Sequence, residues 1–321
     1  MKSYRPEGAL QAVVRRPMTE SRQDPTATPL LSIVVPVYND WKPLEQCLES
    51  LALQTDAPPF EVVVVDDGSA EAVPEYIHRS GLKYPLTVVR QAHAGIPAAR
   101  NQGVRTAKGN VFLFVDADCR LDPDCLAALT SVIEQSPHHD CFQLRLVGNC
   151  STLVGRAEHL RLLTFQEHML QPDGCIRYLN TAGFSIRRER ADIETGVFDP
   201  AAFRAEDTLL LAKLMQDGKL PLFVPAAIVE HAIPLSLMQC VRKDIQSVSL
   251  EGRAYGLIAS KGVRIRITNR ERLSLLRSMW RAAAEKSIGR SAWFVLAVRQ
   301  SLQRVISFVY SCLGIGSAAQ L

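Results

Sequence analysis

Short unbroken apolar runs, each closed by a polar turn, recur along the first half of the chain. Leu31-Ser32-Ile33-Val34-Val35-Pro36-Val37 leads into Tyr38-Asn39, and Glu61-Val62-Val63-Val64-Val65 leads into Asp66-Asp67-Gly68-Ser69. β-Branched runs this continuous fit strands covered on both faces rather than a sheet with one wet face. Between them Leu44, Cys47, Leu48 and Leu51 recur at helical spacing behind Asp40 and Pro43, residues suited to a helix start. A third run, Leu86 to Val89, precedes His93-Ala94-Gly95-Ile96-Pro97, a turn opening a small-residue helix that carries Ala99-Arg100-Asn101-Gln102-Gly103. The fourth, Val111-Phe112-Leu113-Phe114-Val115, runs straight into Asp116-Ala117-Asp118. Strands alternating with helices predict an α/β fold, a mostly parallel sheet flanked by helices. Acidic strand ends then gather along one edge, where open sheets of this class place their ligand sites.

On a strand Asp116 and Asp118 would point the same way and could face one divalent cation, for which hard oxygen ligands suit magnesium or manganese. Alone, the triplet is weak evidence for a metal, because a pair of aspartates often just caps a turn. Each other polar segment also has two readings. Asp66-Asp67-Gly68-Ser69 by itself is a plain turn. Glu206-Asp207 suits the first turn of a helix that continues through Leu209, Leu210, Leu211 and Leu214. Arg100 either lies on a solvated helix face or reaches a base or diphosphate. In Leu179-Asn180-Thr181-Ala182-Gly183-Phe184, the small residues either admit a substrate close to the backbone or simply turn the chain. Phe223 to His231 reads as a short strand whose final histidine is a ligand or an ordinary surface or core residue.

In order and spacing, Val35-Pro36-Val37-Tyr38-Asn39, Val65-Asp66-Asp67-Gly68-Ser69, Ala99-Arg100-Asn101-Gln102-Gly103, Asp116-Ala117-Asp118 and Ala205-Glu206-Asp207 resemble the family 2 glycosyltransferases of the GT-A fold, from about Pro29 to about Pro234. The resemblance implies transfer of a sugar from a nucleotide diphosphate sugar, with inversion at the anomeric carbon and with Mn2+ or Mg2+ as cofactor. By that resemblance Asp207 is the catalytic base with Glu206 beside it, and Asp118 is the principal metal ligand, joined by His231. Pro36, Tyr38, Asn39, Asp67, Arg100, Asp116, Ala117 and Asn180 would bind the nucleotide sugar, with Asp67 at the nucleobase edge and Asp116 at the sugar or ribose. A UDP donor is expected ahead of a GDP donor, and the acceptor is expected to be a hydroxyl of a glycolipid or polysaccharide, lipid-linked in the first case. A Gln-x-x-Arg-Trp segment like that of processive synthases is missing, which favours single transfers or short additions. Two alternatives stand beside this reading. One is a catalytically silent scaffold that binds nucleotide sugars; the other is a sugar nucleotidyltransferase, whose Gly-rich loop after the first strand is not found here.

With 321 residues and 47% hydrophobic content, the chain fills one large α/β core with material left for an appendage. Its eight cysteines form no C-x-x-C pair, so reduced thiols are expected and zinc is not. Residues 1–28 carry five basic and three acidic side chains and are expected to be a flexible tail. No apolar run there resembles a signal peptide, which points to a cytoplasmic site. The catalytic domain is expected over 29–234. Beyond it the character changes: from Arg242 to Arg304, 14 Lys or Arg stand against 4 Asp or Glu, although the whole chain is only +4. Val295, Val298, Leu302, Val305, Ile306, Val309 and Leu313 share one face of a predicted helix, with Gln300, Arg304, Ser307 and Ser311 on another. Residues 235–321 are therefore expected to form a basic helical extension, packed on the catalytic domain or lying on the anionic inner face of a membrane. No apolar run approaches the ~20 residues that span a bilayer. Nucleic acid is not an expected partner, because the basic stretch lacks a recognisable reading module.

Overall fold

Successive residues of the apolar runs sort to opposite faces of a sheet, as strand geometry requires. In β1 (Leu31–Val37), Ile33, Val35 and Val37 join the core under one helical layer and Val34 the core under the other; in β2 (Phe60–Asp66), Val62 and Val64 part from Val63 and Val65 in the same way. The first core takes in α1 (Trp41–Ala52) and α3 (Cys125–Gln135), the second α2 (Ile96–Thr106) and α5 (Glu206–Gln216). A computed structural model describes this arrangement for residues 29–78, 82–202, 205–231, 238–241, 245 and 269–312. The expected tail over 1–28 lies outside the described residues, as do Leu313 and most of 232–268.

The remaining strands are β3 (Leu86–Arg90), β4 (Val111–Phe114), β5 (Cys119–Leu121), β6 (Cys141–Gly148), β7 (Phe184–Arg187) and β8 (Leu222–His231). They complete an eight-stranded sheet in the order β3-β2-β1-β4-β7-β6-β8-β5. The pairs β3–β2, β2–β1, β1–β4 and β6–β8 are parallel; β4–β7, β7–β6 and β8–β5 are antiparallel. The expected fold is thus the observed one, with β5 as a strand that the apolar pattern does not announce.

Two local devices position the site. Gly103 lets α2 lie directly on β1, since a Cβ there would sit 2.2 Å from Val34 Cγ1. Two residues earlier, Asn101 donates to Phe198 O at 2.7 Å and accepts from Phe198 N at 3.0 Å, fastening the same helix to the segment before α5. The second device corrects the strand reading of the aspartate pair. β4 ends at Phe114, and Cys119 N donates to Asp116 O at 3.0 Å, so Asp116 and Asp118 lie in a turn. Strand alternation no longer applies there, and the two carboxylates reach different partners.

Two further helices, α6 (Asn269–Glu285) and α7 (Arg290–Cys312), pack against α4 (Leu153–Met169). Ala157, Leu160 and Leu163 of α4 share a third core with Leu275, Met279, Ala283, Ala292 and Leu296. Among the described residues, no helix is long and apolar enough to cross a membrane.

Candidate active site

At the ends of β1 and β2 the polar turns interlock. Asn39 adopts φ 57°, a left-handed conformation that asparagine tolerates. There its N–H donates to Ser69 Oγ at 2.9 Å, while its Oδ1 accepts from Ala70 N at 2.8 Å. Ser69 N in turn donates to Asp66 Oδ1 at 2.8 Å. Asp67 is only 3% exposed. Its Oδ1 accepts from Gln91 Nε2 at 2.7 Å and Ala94 N at 2.9 Å, and its Oδ2 accepts from Gly95 N at 2.9 Å beside His93 Nδ1 at 2.9 Å. The carboxylate expected at a nucleobase edge therefore holds together the loop that starts α2. What this corner offers to solvent is Tyr38, 46% exposed and stacked on His93 with ring centroids 4.3 Å apart. Pro36 is buried within β1.

At the centre, Arg100 is 2% exposed, neither solvated nor open to a diphosphate. Its Nη2 donates to Asp116 Oδ1 and its Nη1 to Glu206 Oε1, both at 2.8 Å, and the guanidinium lies 5.6 Å from the Phe198 ring centroid. Burial opposes its charge, but Asp116, Asp207 and Glu206 outweigh that and raise its proton affinity. One planar cation thus ties the D-x-D turn to the first turn of α5. Ala117, between the two aspartates, is buried in the sheet core.

Asp207 stands next to Glu206 at the start of α5, and its Oδ1 accepts from Thr181 Oγ1 at 2.9 Å. Burial first, then the neighbouring Glu206 carboxylate, push the Asp207 carboxyl up to about 7 against the opposing pull of Arg100 and Thr181. Thr181 is itself held from behind. Asn180 Oδ1 accepts from Ala182 N at 2.9 Å, and Asn180 N donates at 2.9 Å to Oε1 of Gln143, a fully buried residue of β6.

The third group comes from the far edge of the sheet. Antiparallel pairing of β5 with β8 sets Cys119 opposite His231, which brings His231 Nδ1 within 3.8 Å of Asp118 Oδ1. Ligand atoms of Asp118, Cys119 and His231 all lie within 4.8 Å of one another. Burial, with Asp118 and Asp116 adding to it, raises the Cys119 thiol above its ordinary value, which makes the sulfur a poorer donor than its two neighbours. The carboxylate oxygen of Asp118 and the imidazole nitrogen of His231 are donors that fit Mn2+ or Mg2+. Burial opposes a charge on His231, but the carboxylates of Asp118 and Asp116 outweigh it and raise its proton affinity, so a cation and a proton would compete for this pair.

The sequence model of glycosyl transferase family 2 matches residues 32–196, just over half of the chain. The chain belongs to that family. Among curated relatives, an uncharacterized glycosyltransferase from Haemophilus influenzae is 40% identical over 110 residues, 34% of this chain and 36% of that protein. A poly(ribitol-phosphate) beta-glucosyltransferase from Bacillus spizizenii is 37% identical over 100 residues, 30% of this chain and 16% of that one. The first curated relatives are thus matched over about a third of their length. In fold, the chain is similar to the mannosyltransferase PcManGT from Pyrobaculum calidifontis in complex with GDP-Man and Mn2+, with TM-score 0.56, 19% identity, and 90% of this chain and 81% of that one covered. It is also similar to S. aureus TarS 1-349 in complex with UDP-GlcNAc, with TM-score 0.51, 19% identity and coverage of 88% and 91%.

The structure thus brings Arg100, Asp116, Glu206 and Asp207 into one network and Asp118 and His231 into a second. Four contributors escape a reading of the sequence: Thr181, Gln143, Gln91 and His93. Gln143 had a signal, as a polar residue inside the apolar run Cys141-Phe142-Gln143-Leu144. The others look like ordinary turn residues until their partners are known.

Proposed function

We propose that the chain is an inverting, cation-dependent glycosyltransferase that moves a sugar from a nucleotide diphosphate sugar to a hydroxyl of a glycolipid or polysaccharide acceptor. The observation that carries this reading is the double grip of Arg100 on Asp116 and Glu206, which ties the first turn of α5, where Asp207 stands, to the D-x-D turn at the strand ends where such sheets bind ligands. Asp207 is the base. Thr181 holds its Oδ1, leaving Oδ2, among the described residues, with a 3.5 Å contact from Thr181 N, and the raised proton affinity lets it take a hydroxyl proton better than a surface carboxylate would. Arg100 occupies both Glu206 and Asp116. Asp207 is then the carboxylate left to act, and one base without a second nucleophile suits a single displacement with inversion.

Asp118 and His231 are the residues that would hold Mn2+ or Mg2+. Such an ion supplies positive charge to the diphosphate as it departs. Tyr38 on His93 gives a flat face for a nucleobase, with Asn39, Pro36 and Asp67 fixing the turns around it, and Asn180 and Ala117 border the sugar end. Uridine is our reading of the base, supported by the UDP and UDP-GlcNAc complexes of TarS; the GDP-Man complex of PcManGT makes guanosine the competitor to screen first. We assign the catalytic unit to residues 29–234 and a basic helical extension to 235–321, with the site on the cytoplasmic side, where nucleotide sugars are made.

The test is calorimetric titration of UDP- and GDP-sugars with and without Mn2+, on the wild type and on Asp118→Ala. Binding should need the cation, and the variant should lose that dependence while melting as the wild type does, because removing a cleft carboxylate opens no core cavity. Cation-dependent affinity unchanged in Asp118→Ala overturns the metal assignment. Tight donor binding by a wild type that neither hydrolyses nor transfers sugar would make the chain a scaffold instead.

A further inference from the structure

The C-terminal helix pair carries a surface that the catalytic chemistry leaves unused. Helix α7 buries Ala292 and Leu296 against α4 and turns the opposite side outward. On that outer side lie Phe294, Val298, Leu302, Val305, Phe308 and Val309, all exposed, with Phe294 at 64% and Phe308 at 70%. Their spacing keeps them within roughly a third of the helix circumference, along about 22 Å of its length. This is not the face that hydropathy alone picks out, since Val295 packs inward against the α4 core and the two phenylalanines take its place.

The rim of the stripe is cationic. Arg290 and Arg304 of α7 and Arg277 and Arg281 of α6 are all exposed, and α7 contains no Asp or Glu. Among the described residues of the pair, Glu285 is the exposed acid that opposes them. At the border between stripe and rim stands Trp280, 42% exposed, beneath the Arg290 guanidinium at 5.1 Å and edge-on to Trp293 at 4.8 Å. An exposed apolar strip, an indole at its edge and arginines around it are the parts of a helix that lies in a lipid–water interface. We propose that this face of α7, with the Trp280 corner of α6, seats the protein on an anionic bilayer surface.

Charge complementarity decides for that occupant. A second copy of the chain would bring the same arginines against each other, whereas anionic headgroups match them and acyl chains receive Phe294, Val305 and Phe308. Arg299, on the inner side of the same helix, is 3.3 Å from Glu158 of α4, and Leu162 of α4 packs in the sheet core, so the seat connects to the sheet through α4.

The experiment is flotation of the full chain with vesicles of phosphatidylcholine alone or mixed with phosphatidylglycerol, read without any turnover. A failure here is therefore separate from a failure of the glycosyltransferase reading. Binding should appear on the anionic vesicles, weaken with salt, and be accompanied by quenching of tryptophan emission by brominated lipid. Phe294→Glu/Val305→Glu/Phe308→Glu should abolish binding and leave the melting curve unchanged, since all three side chains face outward. Arg281→Gln/Arg304→Gln should lower partitioning about fivefold per arginine. Equal partitioning to both vesicle types, or to neither, overturns the proposal. So does a dimer in solution that the three glutamates dissolve in the absence of vesicle binding.

Discussion

Asp207 is a carboxylate whose surroundings penalise its charge, and the consequences run in opposite directions for activity and for stability. As the base it must be ionised, so kcat/KM should fall about tenfold per pH unit below a midpoint near 7, the value its environment sets. For stability the folded value lies above the ordinary carboxylate value of 3.8, so the folded state holds this proton more tightly than the unfolded chain. That contribution is complete below about pH 4 and is lost as pH rises through about 7. Asp207→Asn removes both effects. It should lower turnover by about 10²- to 10⁴-fold while donor affinity holds. Its melting temperature should match the wild type at acid pH and exceed it at pH 8. An unchanged rate would move the base elsewhere, and a variant no more stable at pH 8 than the wild type would show that the carboxylate is not strained as described.

At the scale of the element, α2 shows what the sequence makes legible and what it hides. Gly103 in mid-helix would ordinarily be improved by alanine by about 1 kcal/mol. Here the added Cβ would strike Val34 Cγ1 at 2.2 Å, and overpacking costs roughly 1–3 kcal/mol. Gly103→Ala should therefore destabilise in urea titrations, and should slow turnover because the same helix carries Arg100. Adding Val34→Ala should recover part of both losses; a strictly additive double variant would rule out the contact as the cause.

The motif Arg100-Asn101-Gln102-Gly103 marks this helix as special, yet only the structure assigns the arginine to the network, the asparagine to Phe198 and the glycine to β1. Strands β1, β2 and β4 were legible because a sheet covered on both faces demands continuous apolar runs. The three residues of β5 carry too little pattern to be read. The placement of His231 beside Asp118 depends on that strand pairing with one more than a hundred residues later. Local alternation likewise misled at the aspartate pair, because the turn closed by Cys119 depends on where β4 stops.

For the molecule as a whole, α4 decides whether the C-terminal helices are an appendage or part of one folding unit. Leu162 of α4 belongs to the sheet core, while Ala157, Leu160 and Leu163 belong to the core shared with α6 and α7. Ion pairs add to the seam: Arg299 with Glu158, Lys286 with Glu167, and Arg177 with Glu271 at 3.7 Å. Burial opposes the Glu158 charge, but Arg161 and then Arg299 hold its carboxyl down at about 2, so this support persists until strongly acid pH. Two cores that share one helix should melt together. Met279 is 1% exposed in the shared core, and Met279→Ala should cost about 2–5 kcal/mol. The three tryptophans allow a direct check, since Trp41 reports α1 and the Trp280–Trp293 pair reports the C-terminal helices. In variants that keep only Trp41 or only the Trp280–Trp293 pair, Met279→Ala should lower the urea midpoint of both signals equally. A loss confined to the C-terminal signal would make α6 and α7 a separately folding appendage, one that could be removed without exposing Leu160.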